Sequence, residues 1–306
     1  MKVFLDKRYV KIELYEAFML EYKNHEFIFD VEKSYDCHII ITVPSYVTID
    51  VLEQYKNLKW IELITAGYDG IDLEYLKRRG ILLTYAKDVF SIQIAEDVFS
   101  KILYFNRQLK NHMKNQEKHL WKFQKSDHEL YGATIGIIGT GSIGQHIAER
   151  MKAFKTKVIG YKRHLTHVDF FDKIYTTSDG LYELLKESDY IIIAIPLTKD
   201  TKNLIDARAL SVMKKDALIV NVARGEIIDQ IALKKALMNN QIRGAALDVT
   251  SPEPLPKDDT LWDLDNCLIT PHNASSSPKV NNRIAFEIID TFKKYLEQIE
   301  LDNKVV

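Results

Sequence analysis

The hexapeptide Gly139-Thr140-Gly141-Ser142-Ile143-Gly144 constrains this chain more than any other stretch. It follows the apolar run Ala133-Thr134-Ile135-Gly136-Ile137-Ile138, which reads as a buried strand. It opens the segment Gln145 to Phe154, where Ile147, Ala148, Met151 and Phe154 recur at helical spacing. Between a strand and a helix, G-x-G-x-x-G has a physical meaning. The first glycine permits the tight turn, the second lets backbone approach a pyrophosphate, and the third lets helix pack on strand. The diphosphate then lies at the helix N-terminus, where unpaired N–H groups and the dipole favour an anion. Alone, the motif is often an ordinary tight turn; in this setting it predicts dinucleotide binding.

The motif stands near the middle of 306 residues, so a first domain must precede it. Short Val/Ile/Leu-rich runs alternate with helical patterns on both sides, the signature of parallel α/β sheets covered on both faces. Strands are expected at 2–5, 38–43, 60–63 and 81–84, then at 134–138, 157–161, 190–195, 217–221, 245–249 and 267–270. Intervening helices are expected at 181–187 and 230–239. Two long helices, 92–114 and 279–300, are expected to carry the chain out of the first domain and back. With 42 basic and 43 acidic residues the formal charge is −1, which implies no field suited to nucleic acid or an anionic membrane. No apolar run approaches the ~20 residues that span a bilayer. The N-terminus lacks the apolar stretch of a signal peptide, and Cys37 and Cys267 have no metal-ligand spacing. The expectation is a cytoplasmic protein with reduced core thiols, no metal, and no nucleic-acid or membrane partner.

Ligands of open α/β sheets bind beyond the carboxyl ends of the strands. Three late strands end in polar residues: Asn221-Val222-Ala223 leads to Arg224, Ala246-Leu247 to Asp248 and then Glu253, and Thr270-Pro271 to His272. Singly, Arg224 reads as a surface ion pair, Glu253 as a solvated acid and His272 as a loop cap. Together, beside a dinucleotide, they read as chemistry. A nicotinamide supplies the hydride and the protein supplies orientation and proton transfer. Arginine's planar fork suits the carboxylate of a 2-oxo acid. Histidine, which titrates near neutrality, is the natural proton donor to the forming alkoxide. His112, His119 and His128 lie in polar stretches and are expected to be solvated.

Further matching stretches are Ala66-Gly67-Tyr68-Asp69-Gly70-Ile71-Asp72, Ile94-Ala95-Glu96, Pro196-Leu197-Thr198, Glu253-Pro254-Leu255-Pro256 and Thr270-Pro271-His272. In this order, with the glycine fingerprint and Asn221–Gly225, they make the sequence similar to the D-isomer-specific 2-hydroxyacid dehydrogenases over nearly its whole length. The resemblance is to the glyoxylate/hydroxypyruvate reductase-like members. It implies an α/β chain of two doubly wound parallel-sheet domains. One is a flavodoxin-like substrate domain, residues 1–98 and 276–306; the other is an inserted Rossmann cofactor domain, residues 99–275. It also implies a homodimer. Carried over residue by residue, Arg224 orients the substrate, Glu253 pairs with the catalytic histidine, and His272 is the general acid in reduction and base in oxidation. Ala66, Gly67 and Tyr68 bind the substrate carboxylate together with Arg224. Gly139, Gly141, Ser142, Ile143, Gly144, Lys162, Arg163, Pro196, Thr201, Val222, Ala223 and Asp248 surround the coenzyme.

Three departures bear on specificity. After Val158-Ile159-Gly160-Tyr161, where NAD-dependent relatives usually carry an aspartate, this chain has Lys162-Arg163-His164. An acid exchanged for cations suits a 2′-phosphate, so NADP (as NADPH) is favoured over NAD. Tyr85-Ala86-Lys87-Asp88 stands where many relatives have Asn and Gly, and Tyr85 and Asp88 are expected to reshape the pocket. At 306 residues the sequence is expected to carry no extra C-terminal domain of the kind found in many phosphoglycerate dehydrogenases. The expected activity is NAD(P)H-dependent interconversion of a small 2-oxo acid and its D-2-hydroxy acid. The alternatives are a dinucleotide-sensing binding protein on the same fold and another enzyme on a similar two-domain fold, such as an amino-acid dehydrogenase, which ammonia-dependent coenzyme oxidation would reveal. Core packing is the expected role of Trp121, Tyr85, Trp262 and Tyr68.

Overall fold

The computed structural model describes residues 1–306, which divide into two compact units: Met1–Phe90 with Ser277–Val306, and Ser91–Ser276. In the first, the apolar runs form β1 (Lys2–Leu5), β2 (Glu26–Ile28), β3 (Ile39–Thr42), β4 (Trp60–Leu63) and β5 (Leu82–Tyr85). They pair, all parallel, in the order β2-β1-β3-β4-β5, the flavodoxin-like arrangement. Alternate residues serve opposite faces. Val3, Leu5, Ile39, Ile41 and Trp60 pack with Ile284, Ile288 and Phe292 of the helix Val280–Leu296. Phe4, Ile40, Ile61, Leu63 and Leu83 pack with Leu76 of the helix Leu73–Arg79. Residues 303–305 run along β5, with Val305 N–H donating to Leu83 O at 2.8 Å and Tyr85 N–H to Asn303 O at 3.3 Å.

One fully buried residue of this sheet is ionisable. Glu62 lies within β4 and is fully buried. It accepts a hydrogen bond from the Thr84 hydroxyl, and its Oε1 has no partner. Thr84 Oγ1 in turn accepts from Trp60 Nε1 at 2.6 Å. Desolvation pushes the Glu62 carboxyl up to about 8, with the charge of Glu287 adding to the rise.

The second unit holds β6 (Thr134–Ile138), β7 (Lys157–Tyr161), β8 (Lys173–Tyr175), β9 (Tyr190–Ile193), β10 (Leu218–Asn221), β11 (Gly244–Leu247) and β12 (Cys267–Ile269). All are parallel, in the order β12-β11-β10-β9-β6-β7-β8. Counted from β6 this is the Rossmann order with one added strand, and the direction of winding reverses between β6 and β9. The fingerprint leaves β6 at that switch point.

Several expectations need correction. The helix expected over 92–114 is two helices, Ser91–Asn106 and Leu109–Glu117, because Gln108 adopts φ 51° and breaks the turn between them. The strands β2 and β8 were not expected: each is a three-residue edge strand beginning with a charged residue. Trp121 is fully exposed and Trp262 half-exposed, so neither packs in a core. Tyr68 and Tyr85 do pack, their rings 6.0 Å apart against the cluster under β4 and β5. His128 is half-buried rather than solvated, and burial followed by the charge of Arg243 lowers its pKa. No helix is long and apolar enough to cross a membrane.

Candidate active site

The glycine loop is built by steric exclusion. Gly139 has φ 103°, and a Cβ there would lie 2.2 Å from the Ala194 carbonyl oxygen beyond β9. A Cβ on Gly144 would lie 2.1 Å from Gly139 O, so the helix Ser142–Lys152 sits directly on the turn. Gly141 differs from both: a Cβ there meets nothing within 4 Å. Nothing in the protein demands its smallness, whereas a group approaching the backbone from outside would. Gly141 precedes the first helical turn, which no side chain caps, so the N–H groups of that turn, from Ser142, Ile143 and Gly144, remain available to an anion. The Thr140 hydroxyl in the same loop is buried without a partner. An open glycine, an uncapped helix and an orphaned hydroxyl at the switch point fit a dinucleotide.

Lys162 and Arg163 follow β7 on the surface. Lys162 Nζ donates to Thr166 Oγ1 at 2.6 Å, and Arg163 forms an exposed ion pair with Asp200 at 3.2 Å. Solvent competes with both contacts. The turn after β9 is knotted by Thr201, whose hydroxyl donates to Pro196 O at 2.7 Å and accepts from Thr198 N–H at 2.7 Å.

The polar residues after β10, β11 and β12 arise from three neighbouring strands, and each turn has its own fastening. After β10, Asn221 is buried; its Oδ1 accepts from Ala223 N–H at 3.0 Å and its Nδ2 donates to Arg224 O at 2.9 Å. That clasp bends Val222-Ala223-Arg224, and Arg224 donates to Ala223 O at 2.7 Å. A Cβ on Gly225 would lie 2.0 Å from Thr250 O, so this turn is pressed onto the loop after β11. In that loop Thr250 N–H donates to Glu253 Oε1 at 3.1 Å, and the peptide bonds before Pro252 and Pro254 are cis. The other carboxylate oxygen of Glu253 meets His272 Nδ1 at 2.8 Å. His272, after β12, has φ 49°, and its N–H donates to Asp248 O at 2.8 Å. The sequence therefore names a dyad that the fold brings into hydrogen-bond contact. With Nδ1 facing a carboxylate, Nε2 of a half-exposed ring is left for a substrate oxygen.

Asp248 is placed beneath this loop, with both carboxylate oxygens engaged. Oδ1 accepts from Thr270 Oγ1 at 2.5 Å and from Asn273 N–H at 3.2 Å, and Oδ2 accepts from Ala274 N–H at 3.0 Å. Lys101 Nζ approaches Oδ1 at 3.6 Å and bonds Asp97. Burial raises the Asp97 pKa, with the Lys101 ammonium opposing it. Sequence reasoning missed Lys101. Its signal was present, since Lys101 falls on the helical stripe of Ile94, Val98 and Ile102.

In the first unit, Ala66, Gly67 and Tyr68 follow β4 in a half-exposed loop, where the Thr65 hydroxyl donates to Gly67 O at 2.8 Å. Tyr85 ends β5 half-buried, its phenol pushed up by burial, and Asp88 is exposed at φ 62°.

Residues 99–274 match the family described as D-isomer specific 2-hydroxyacid dehydrogenase, NAD binding domain. The glyoxylate reductase of Pyrococcus furiosus is 37% identical over 265 residues, 83% of this chain and 78% of that one. The chain belongs to the D-isomer-specific 2-hydroxyacid dehydrogenase family. D-3-phosphoglycerate dehydrogenase of Methanocaldococcus jannaschii is 36% identical over 278 residues; that match spans 90% of this chain but about half (53%) of the longer relative. Among solved structures, an acyclic imino acid reductase in complex with NADPH and D-Arg superposes with a TM-score of 0.87 at 30% identity over the whole of both chains. The family is one of NAD(P)-dependent oxidoreductases acting on CH–OH donors.

Proposed function

We propose that this dehydrogenase reduces small 2-oxo acids to D-2-hydroxy acids and takes its hydride from NADPH in preference to NADH. The observation that carries the reading is the 2.8 Å contact between His272 Nδ1 and Glu253. A binding protein needs a glycine loop; it does not need a histidine held by a carboxylate with its second nitrogen exposed. The coenzyme, when bound, supplies the hydride to carbon 2. His272 Nε2 gives a proton to the oxygen as it gains charge, and in oxidation takes it back. Arg224 holds the substrate carboxylate. The clasp of Asn221 keeps Arg224 on a fixed turn, which limits the orientations a bound acid can take.

Preference for NADPH is supported by a half-exposed Lys162 and an exposed Arg163 and His164 after β7, with no acid in the set. Two cations held only by solvent-exposed partners can turn to a 2′-phosphate at little cost. A homodimer is supported by Leu120, Trp121 and Phe123, three exposed apolar side chains close together in a segment without regular secondary structure; light scattering of the wild type and of Trp121→Ser tests it. A second reading follows from the imino acid reductase. The same proton donor would serve a C=N bond, and the relative's substrate class shares the carboxylate that Arg224 would bind.

The test is oxidation of NADPH, with NADH in parallel, against 2-oxo acids from glyoxylate to phenylpyruvate, each with and without ammonia. Turnover without ammonia and with NADPH preferred is the expected result. Turnover that requires ammonia supports the imine reading. Tight coenzyme binding with no turnover moves the chain to the dinucleotide-sensing class.

A further inference from the structure

Beneath the loop that carries His272 lies a lysine for which the reaction so far has no task. The side chain of Lys101 is 1% exposed, on the buried stripe of the helix Ser91–Asn106. An ammonium there is costly unless carboxylates compensate its desolvation. Two do: Asp97, one turn earlier, and Asp248, whose side chain is as buried as the lysine's. Lysines on helices normally run outward to put the charge in water. This one extends inward to a carboxylate just beyond β11.

That carboxylate splints the catalytic loop. It accepts the Thr270 hydroxyl and the N–H groups of Asn273 and Ala274, and the Asp248 carbonyl takes the His272 N–H. His272 itself is a non-glycine residue in the left-handed region at φ 49°. Such a conformation lasts only where the surroundings over-determine it. The same helix holds the far end of the loop, through Gln93 Nε2 donating to Ser275 O at 3.1 Å.

We propose that Lys101 is a positioning residue, whose buried ammonium holds the Asp248 carboxylate against the 270–274 loop and so keeps His272 at Glu253. Without it, two carboxylates face each other with no cation between them, and their repulsion moves Asp248 off the amides it binds. The inference rests on His272 being the proton donor only for its kinetic consequence; its structural consequence is independent of any substrate.

Hydrogen exchange of peptides covering 270–276, read beside NADPH affinity and kcat, provides the test. Lys101→Met is nearly isosteric and neutral. Lys101→Gln is neutral and one atom shorter but keeps an amide donor on the same stripe, and gives a milder form of the same change. Both are expected to exchange about tenfold faster in 270–276, as fits loss of a charge-assisted contact, with the β6–β9 peptides unchanged. In both, kcat falls about a hundredfold from the misplaced proton donor while NADPH affinity holds. Lys101→Arg restores both readouts. Unchanged exchange in 270–276 in the neutral variants overturns the proposal, and so does uniformly faster exchange throughout the unit, which marks a merely structural lysine. If the wild type reduces no 2-oxo acid, the proposed function fails while the exchange result still decides the role of Lys101.

Discussion

Glu62 makes the five-stranded unit less stable as the pH rises, by an amount that can be worked out. Burial pushes its carboxyl from the ordinary 4.5 up to about 8. Between those values the folded chain binds a proton that the unfolded chain releases, so stability is full at low pH and falls as pH rises. Each pH unit inside the window is worth about 1.4 kcal/mol. From about pH 5 to about pH 8 the wild type therefore loses roughly 3 to 4 kcal/mol through this group alone. Glu62→Gln keeps a neutral group of the same shape, with an oxygen to accept from Thr84. The variant should match the wild type near pH 5 and exceed it increasingly toward pH 8. Glu287, itself pushed up to about 7 by burial, is present in both proteins, so the difference between them reports Glu62 together with its repulsion from Glu287. The assay is urea unfolding followed by tryptophan emission. Of Trp60, Trp121 and Trp262 only Trp60 is buried, and its indole sits one hydroxyl away from Glu62. Loss of the blue-shifted emission thus reports this unit. A stability difference that stays constant across the pH range would refute the reasoning.

Other outcomes follow from the second unit. His272→Asn should lower kcat about 10²- to 10⁴-fold, the usual contribution of a general acid, and leave NADPH affinity measured by fluorescence titration unchanged; a near-native rate removes the mechanism. Lys162→Asp should shift the NADPH/NADH ratio of kcat/KM about tenfold or more toward NADH, the worth of one charge-assisted bond; an unchanged ratio ends the 2′-phosphate argument. Gly141→Ala should weaken NADPH binding with the unfolding midpoint unchanged, because its Cβ meets no protein atom. Gly144→Ala should instead cost about 1–3 kcal/mol of stability from overpacking against Gly139 O, seen as a lower midpoint without coenzyme.

The parallel sheets were legible because their central strands are runs of Ile, Val and Leu buried on both faces, as in Ile191-Ile192-Ile193. The edges were not. Glu26-Phe27-Ile28 and Lys173-Ile174-Tyr175 are short and half-exposed, and pairing with a single neighbour is all that makes them strands. The break at Gln108 carries no glycine or proline to announce it. At the site, Glu253 and His272 were readable as residue types at strand ends, but their contact depends on a turn of Thr250 and a positive φ that no local pattern encodes. Lys101 and Glu62 share a cause of illegibility. Each is a charged residue on a buried stripe, and a contact that explains it comes from a different element: Asp248, beside the local Asp97, for one, and Thr84 for the other.

The glycines of the second unit carry different kinds of history. Gly139, Gly144 and Gly225 are packed against backbone oxygens of their own domain. A descendant that abandoned both chemistry and coenzyme would still retain them to fold. Gly141 answers only to a visitor, and would drift once dinucleotide binding was lost. His272 and Glu253 would drift sooner, as soon as turnover ceased to matter. Read in that order, substitutions among related chains date the losses: first the dyad, then the open glycine, never the filled ones. A relative's retained fingerprint as a whole is thus weak testimony to activity, and its second glycine together with the histidine is the part worth comparing.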